Sequence, residues 1–414
     1  MGYDISILNN LYVNQIIDYL NVNITDFEAK YEEQIFIGNV KQKAIRGVLN
    51  NYLNENIAAS NIIESSLFDF LFSVYPETTM HYYMTVGNQS IDDVHRILTE
   101  NLEINELIDN KLYNTLDDEE PIVSIRFTGN TLKVLLQFGV YTTPINRDRK
   151  RFLVACKLDF NNNILSFAYK QNVFSKLDSG IKFSELKNKV FNVLNSLGLQ
   201  IVFRDIPEIA AKKAMYFLFT EESTKALELI KQTISNNQGV PFEEQEYTDS
   251  IRLFLTEQLR LANPDEFINR AMILKYQDSA IEIDNRVFIN HGGYIFGFSF
   301  VDPRITKSSN RSDDRDPVYK SKIFWNLKDV VSEYEELDGL SMFWKFNPNN
   351  FDEEITPANV ANTIFVQVDY KYVRGSLCIY HYVNNELKVS NARGRERERA
   401  EEYVLYRIAN YLQR

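Results

Sequence analysis

Residues 122–170 constrain this chain most tightly. Four short segments there alternate apolar and polar side chains and are separated by turn residues. IVSIRFT (122–128) and TLKVLLQFGVY (131–141) are joined by Gly129-Asn130. A polar stretch, TTPINRDRK (142–150), leads into RFLVACKLDF (151–160), and Asn161-Asn162-Asn163 turns the chain into ILSFAYK (164–170). Successive side chains of a strand point to opposite faces. Consecutive strands with short connections predict an antiparallel meander. One face would hold Val123, Ile125, Phe127, Leu132, Val134, Leu136, Phe138, Phe152, Val154, Cys156, Leu158, Leu165 and Phe167. The other would hold Ser124, Arg126, Lys133, Gln137, Tyr141, Arg151, Lys157, Ser166 and Lys170.

On either side of the meander the apolar period changes. Residues 3–116 read as helical: Leu8, Leu11, Ile16 and Leu20 recur at helical spacing, as do Ile45, Val48, Leu49 and Tyr52. Ser90 with Asp92 and Asp93 marks a helix start. Beyond 170, helices are expected near 183–197, from Pro207 through 219, and over 221–236 and 243–277. Strands are expected in SAIEIDN (279–285), RVFIN (286–290), GYIFGFSFV (293–301), LSMFWKF (340–346), 364–373, 375–383 and 386–391. The stretch 302–321 reads as a polar loop, and His291-Gly292-Gly293 as a turn between strands. A chain of 414 residues is long enough for two to three domains. The expected class is α+β: an N-terminal helical region, a central antiparallel meander with helices, and a C-terminal mixed region with antiparallel strands. The expected domains are 1–120, 121–240 and 241–414.

Charge is unevenly spread. Residues 1–120 carry 6 Lys and Arg against 20 Asp and Glu, a net −14, while residues 121–215 carry 15 against 6, a net +9. A surplus of positive charge inside an acidic chain predicts contact with nucleic acid, or contact between oppositely charged parts. Five cations share the second sheet face: Arg126, Lys133, Arg151, Lys157 and Lys170. The neighbouring loop adds Arg147, Arg149 and Lys150. Together these eight form the candidate phosphate-contacting set. Two other fates compete with that one: the wet face of a half-buried sheet, or docking onto the acidic helices. Tyr141 is the only aromatic of the face, which argues against base stacking.

Catalytic motifs are sparse. Asp369 with Glu386-Leu387-Lys388 resembles the PD-(D/E)xK nuclease pattern, which implies a carboxylate-held Mg²⁺ and a lysine beside the attacking water. No Pro precedes Asp369, and Glu386 follows an Asn384-Asn385 turn, so an exposed hairpin is the competing reading. Arg286 and His291 have the R-x4-H spacing of HEPN-type ribonucleases, but that chemistry needs a helix and the segment reads as strand. Cys156 and Cys378 sit in apolar strands, where thiols are inert. With four scattered histidines and two cysteines, no metal or other cofactor is expected. The low cysteine count and the absence of an apolar leader or an 18-residue apolar run predict a cytoplasmic protein without a membrane segment. Abundant Asn and Ile point to an AT-rich bacterial or phage genome and, from composition alone, to defence or mobile-element biology. The leading expectation is a nucleic-acid-associated or complex-forming binding protein. Its partners would be DNA or RNA, another protein, or a second copy. A metal-dependent nuclease and an interaction subunit without nucleic-acid contact are the alternatives.

Overall fold

The computed structural model describes residues 2–412 except 11–12, 22–23, 25, 56, 77, 88, 114–119, 143–148, 178–179, 240, 302–306, 357 and 383–393. The class is α+β, with antiparallel sheet and helices throughout. No helix among the described residues is long and apolar enough to cross a membrane. The strands are β1 (Thr78–Val86), β2 (Ile122–Thr128), β3 (Thr131–Thr142), β4 (Arg149–Asp159), β5 (Ile164–Tyr169), β6 (Ile201–Arg204), β7 (Gly293–Val301), β8 (Lys307–Arg311), β9 (Gly339–Phe346), β10 (Ile364–Val373) and β11 (Ser376–His381). The chain divides into two compact units: residues 1–206 with 373–399, and residues 207–372 with 400–414.

In the first unit the strand order is β2-β3-β4-β5-β1-β11, and β6 also pairs with β1. The meander forms with the expected turns, Gly129 and Asn163 supplying left-handed backbone at the bends. Residues 78–86 belong to a strand, not to the helical stretch expected across 3–116. Their own period is two: Met80, Tyr82 and Met84 point into one core, with His81 and Tyr83 between them. Helix Phe183–Ser196 buries Leu186, Val190 and Leu194 against that core. The opposite face is also covered. Tyr3, Ile7, Ile16, Leu20, Phe27, Ile45, Leu49, Phe68 and Phe72 of the N-terminal helices form a second core with Val123, Leu135, Leu153, Ala155 and Ala168 of the sheet.

Two bulges correct the expected division of faces. Pairing of β2 with β3 slips between Ile122 and Ser124, which turns Val123 toward the N-terminal helices. Pairing of β3 with β4 slips between Gln137 and Val140, where Gly139 takes φ +91°, and this moves Tyr141 into the other core. An extra residue inverts every side chain beyond it.

In the second unit the strand order is β10-β9-β7-β8. Helix Glu208–Gln238 is continuous through the expected break at 220. It starts after Pro207, whose fixed φ suits a helix entry, and ends at Gly239 with φ +69°. It packs Phe219 on Phe298, with ring centroids 5.1 Å apart. Four expectations change here. Residues 279–282 close the helix Asp265–Glu282. RVFIN is helical (Asn285–Asn290), because the Asp284 carboxylate accepts from the Arg286 N–H at 2.8 Å and caps it. His291-Gly292-Gly293 therefore joins a helix to β7 rather than two strands, and part of the expected 302–321 loop is β8.

Candidate functional site

The cations of the meander are largely enclosed. Arg151 is buried, bonding Asp4 at 3.0 Å, the Ser6 hydroxyl at 2.9 Å and the Gln137 side-chain oxygen at 2.7 Å. Against its partial burial, two bonds from Ser6 and then the Arg151 charge hold the Asp4 carboxyl below the usual range. Lys133 is buried and meets Glu398 at 2.6 Å. Lys170 is buried, its ammonium 5.1 Å from the Tyr75 ring centre. Arg126 is half-buried and lies 3.8 Å over Phe68, where burial lowers the guanidinium's pKa against Asp69, Glu64 and Asp109. Lys157 is half-buried, facing Lys133 on one neighbouring strand and Ser166 on the other. The acidic N-terminal helices are thus the face's neighbours. Of the three cations expected in the adjoining loop, Arg149 and Lys150 instead begin β4, the first exposed and the second half-buried, and Arg147 lies outside the described residues.

The same face carries a buried imidazole. His81 on β1 sits opposite Ser166, with its Nδ1 2.6 Å from the Ser166 hydroxyl. Its Nε2 has no bonding partner among the described residues. Burial, with Lys157 nearby, pushes the His81 pKa down to about 3, and burial also depresses His381. A histidine that stays neutral when folded but protonates near pH 6.5 when unfolded stabilises fully above that pH. Urea unfolding should therefore show stability falling from about pH 6.5 toward pH 3, more gently in His81→Gln than in the wild type. An equal pH slope in the variant would contradict this assignment.

Asp369 is buried in the second unit. Its carboxylate accepts from Ser341 at 2.5 Å and from Arg311 at 3.2 Å, with the Lys371 ammonium at 3.6 Å. Arg311, Gly297, Ser341 and Asp369 occupy one row across β8, β7, β9 and β10. A side chain at Gly297 would stand 3.2 Å from Arg311 Cγ, so the missing Cβ lets the arginine cross the sheet. Two cations and a hydroxyl thus surround the carboxylate. Glu386 and Lys388 lie outside the described residues. Among the described residues no three His, Cys, Asp or Glu side chains converge as a metal site would require. Arg286 and His291 are five apart at a short helix and its cap, which puts them on different sides.

The helix Asp265–Glu282 falls largely within the helical stretch expected over 243–277, but sequence reading passed over its being apolar on two opposite sides. Ile268, Met272, Tyr276 and Ala280 are buried and pack toward helices Glu208–Gln238 and Lys322–Tyr334. Phe267, Leu274 and Ile281, seven residues apart, are 50%, 46% and 52% exposed. At about 100° per residue these three lie within one narrow stripe, diametrically across from the buried set. The preceding helix, Glu244–Leu253, is tied to its start by Arg252 on Asp265 at 2.7 Å and leaves Leu253 and Phe254 exposed. The spacing of seven was the available signal, hidden because apolar residues on both sides blur the period.

No family model matches the sequence, and no curated protein matches it. Among solved structures, an RNA-binding light-oxygen-voltage receptor aligns over 67% of this chain and 82% of its own at 9% identity. Its TM-score of 0.09 carries no argument.

Proposed function

We propose that this chain is a complex-forming protein that associates with a second copy of itself through the outer stripe of helix Asp265–Glu282. The observation that carries the reading is the row Phe267, Leu274, Ile281, half-exposed and opposite a fully packed inner face. Apolar rows of this kind gain free energy when covered. Charge placement favours a copy of the same helix as the cover. Antiparallel pairing about a two-fold axis at Leu274 sets Phe267 against Ile281 and Arg270 against Asp278. Among the described residues Arg270 bonds Glu266 alone, an exposed pair one turn away that is easily exchanged. Glu266 would meet Glu282 at the rim. Attraction and repulsion then nearly cancel, so the association is expected to depend weakly on salt.

An interface of one helix pair is small, and dissociation constants in the range of about 1–100 μM are expected. Sedimentation equilibrium across that range tests the reading. The wild type should move from monomer to dimer mass while Leu274→Asp stays monomeric with an unchanged melting curve. A wild type that stays monomeric throughout, or a variant that dimerises equally well, sinks it. The nucleic-acid reading draws its support from the charge pattern, and of its eight cations Arg149 is the one exposed among those described. Its signature would be the opposite one, a steep loss of affinity with salt that charge reversal at Arg147 and Arg149 reduces.

A further inference from the structure

In the first unit a cleft of about 490 Å³ opens among three separate pieces of chain. Phe174 ends one short helix, Ile181 to Ser184 lead into the helix Phe183–Ser196, and Arg374 reaches in from the turn before β11. Phe174, Ile181 and Phe183 supply apolar wall, and Lys182, Lys187 and Arg374 supply positive charge. Lys187 is already matched by Asp205, at 2.9 and 3.1 Å. Among the described residues, neither Lys182 nor Arg374 forms an ion pair, and the Glu185 carboxylate bonds the Lys182 backbone N–H at 3.3 Å. The Arg374 guanidinium stands 5.9 Å from the centre of the Phe183 ring. Its backbone is left-handed, φ +50°, followed by Gly375 at φ +85°. That turn position suits Gly or Asn, and an arginine there is strained.

We infer that this cleft binds a small organic anion carrying a flat apolar group, the anion held by Lys182 and Arg374 and the apolar group lying on Phe174 and Phe183. The volume falls within the range of small-molecule sites, which combine apolar walls with a few charged groups that fix orientation. Arginine serves both ends of such a ligand, since its guanidinium bonds an anion and stacks on a ring. The placement is independent of the self-association proposed above, which involves residues of the other unit.

The test is isothermal titration of the full chain with 1-anilinonaphthalene-8-sulfonate, an aromatic monoanion of this class. Saturable binding is expected, weakened at least about tenfold in Arg374→Gly and in Lys182→Ala. Glycine is what the turn's backbone prefers, so Arg374→Gly should melt no lower than wild type, and a loss of binding cannot then be put down to unfolding. Absence of saturable binding by the wild type at probe concentrations up to about 1 mM, or equal affinity in both variants, would overturn the inference.

Discussion

Arg151→Ala is expected to destabilise the first unit by roughly 3–5 kcal/mol, among the largest effects of any single change to a charged residue here. The guanidinium bonds Asp4, Ser6 and Gln137 in the space between the sheet and the N-terminal helices. Removing it takes the countercharge and two bonds from the Asp4 carboxylate, which keeps only its bonds from Ser6, and one donor from the Gln137 oxygen. Asp4 adds a pH dependence of defined sign. Its folded pKa is depressed, so its contribution is present above the ordinary aspartate range and is lost as pH falls through the lowered value. Urea denaturation of wild type, Arg151→Ala and Arg151→Lys at pH 7 would measure this. If alanine costs under about 1 kcal/mol, the arginine is a surface cation and the buried-pair account is wrong.

The second large effect belongs to Gly293→Ala. This residue enters β7 with φ +135°, a conformation that side chains rarely adopt. A Cβ there would lie 2.0 Å from the Phe343 carbonyl oxygen of the paired strand β9, so the backbone itself must move. The expected cost is roughly 3–5 kcal/mol, combining strain with a broken strand register. Gly38→Ala gives the contrast: φ is +94°, yet nothing lies within 4 Å of the added atom, and only the smaller conformational penalty applies. Thermal melts of both variants separate the two terms. Equal losses would mean that the close approach at Gly293 contributes nothing.

The meander was readable because its turns and its period of two agree with each other. The error lay in calling one face polar. KVLLQF and FLVAC are nearly continuous apolar runs, and Leu135, Leu153 and Ala155 lie between the named cations. Such runs mark strands covered on both sides. Lys133, Arg151 and Lys170 are buried with them because each finds a carboxylate or a ring in the N-terminal helices or the chain near residue 398. Those partners lie about 95 to 265 positions away in sequence for Lys133, Lys170 and Arg151, and no local pattern reveals pairing over such distances. Strand β1 was hidden for a related reason: nine residues of alternation stand between long helical stretches, and neighbouring context outweighed them. Asp369 was noticed in sequence, but its partner Arg311 was assigned to a loop because a strand reading KSSNR has almost no apolar signal. The outer stripe of Asp265–Glu282 was missed because amphipathicity is recognised by contrast, and this helix has apolar residues on both sides.

The position of β11 has a consequence for synthesis. It pairs with β1 through Thr78 to His81, and its Leu377, Cys378 and Ile379 are fully buried. The ribosome makes these two strands nearly 300 residues apart, so about half a minute of elongation separates them at ordinary rates. During that interval the N-terminal two hundred residues expose an unfilled strand edge at Thr78–His81, the kind of edge that recruits foreign strands. A chain truncated after residue 206 is therefore expected to aggregate or to require a chaperone, and adding the 376–381 peptide in trans should raise its solubility.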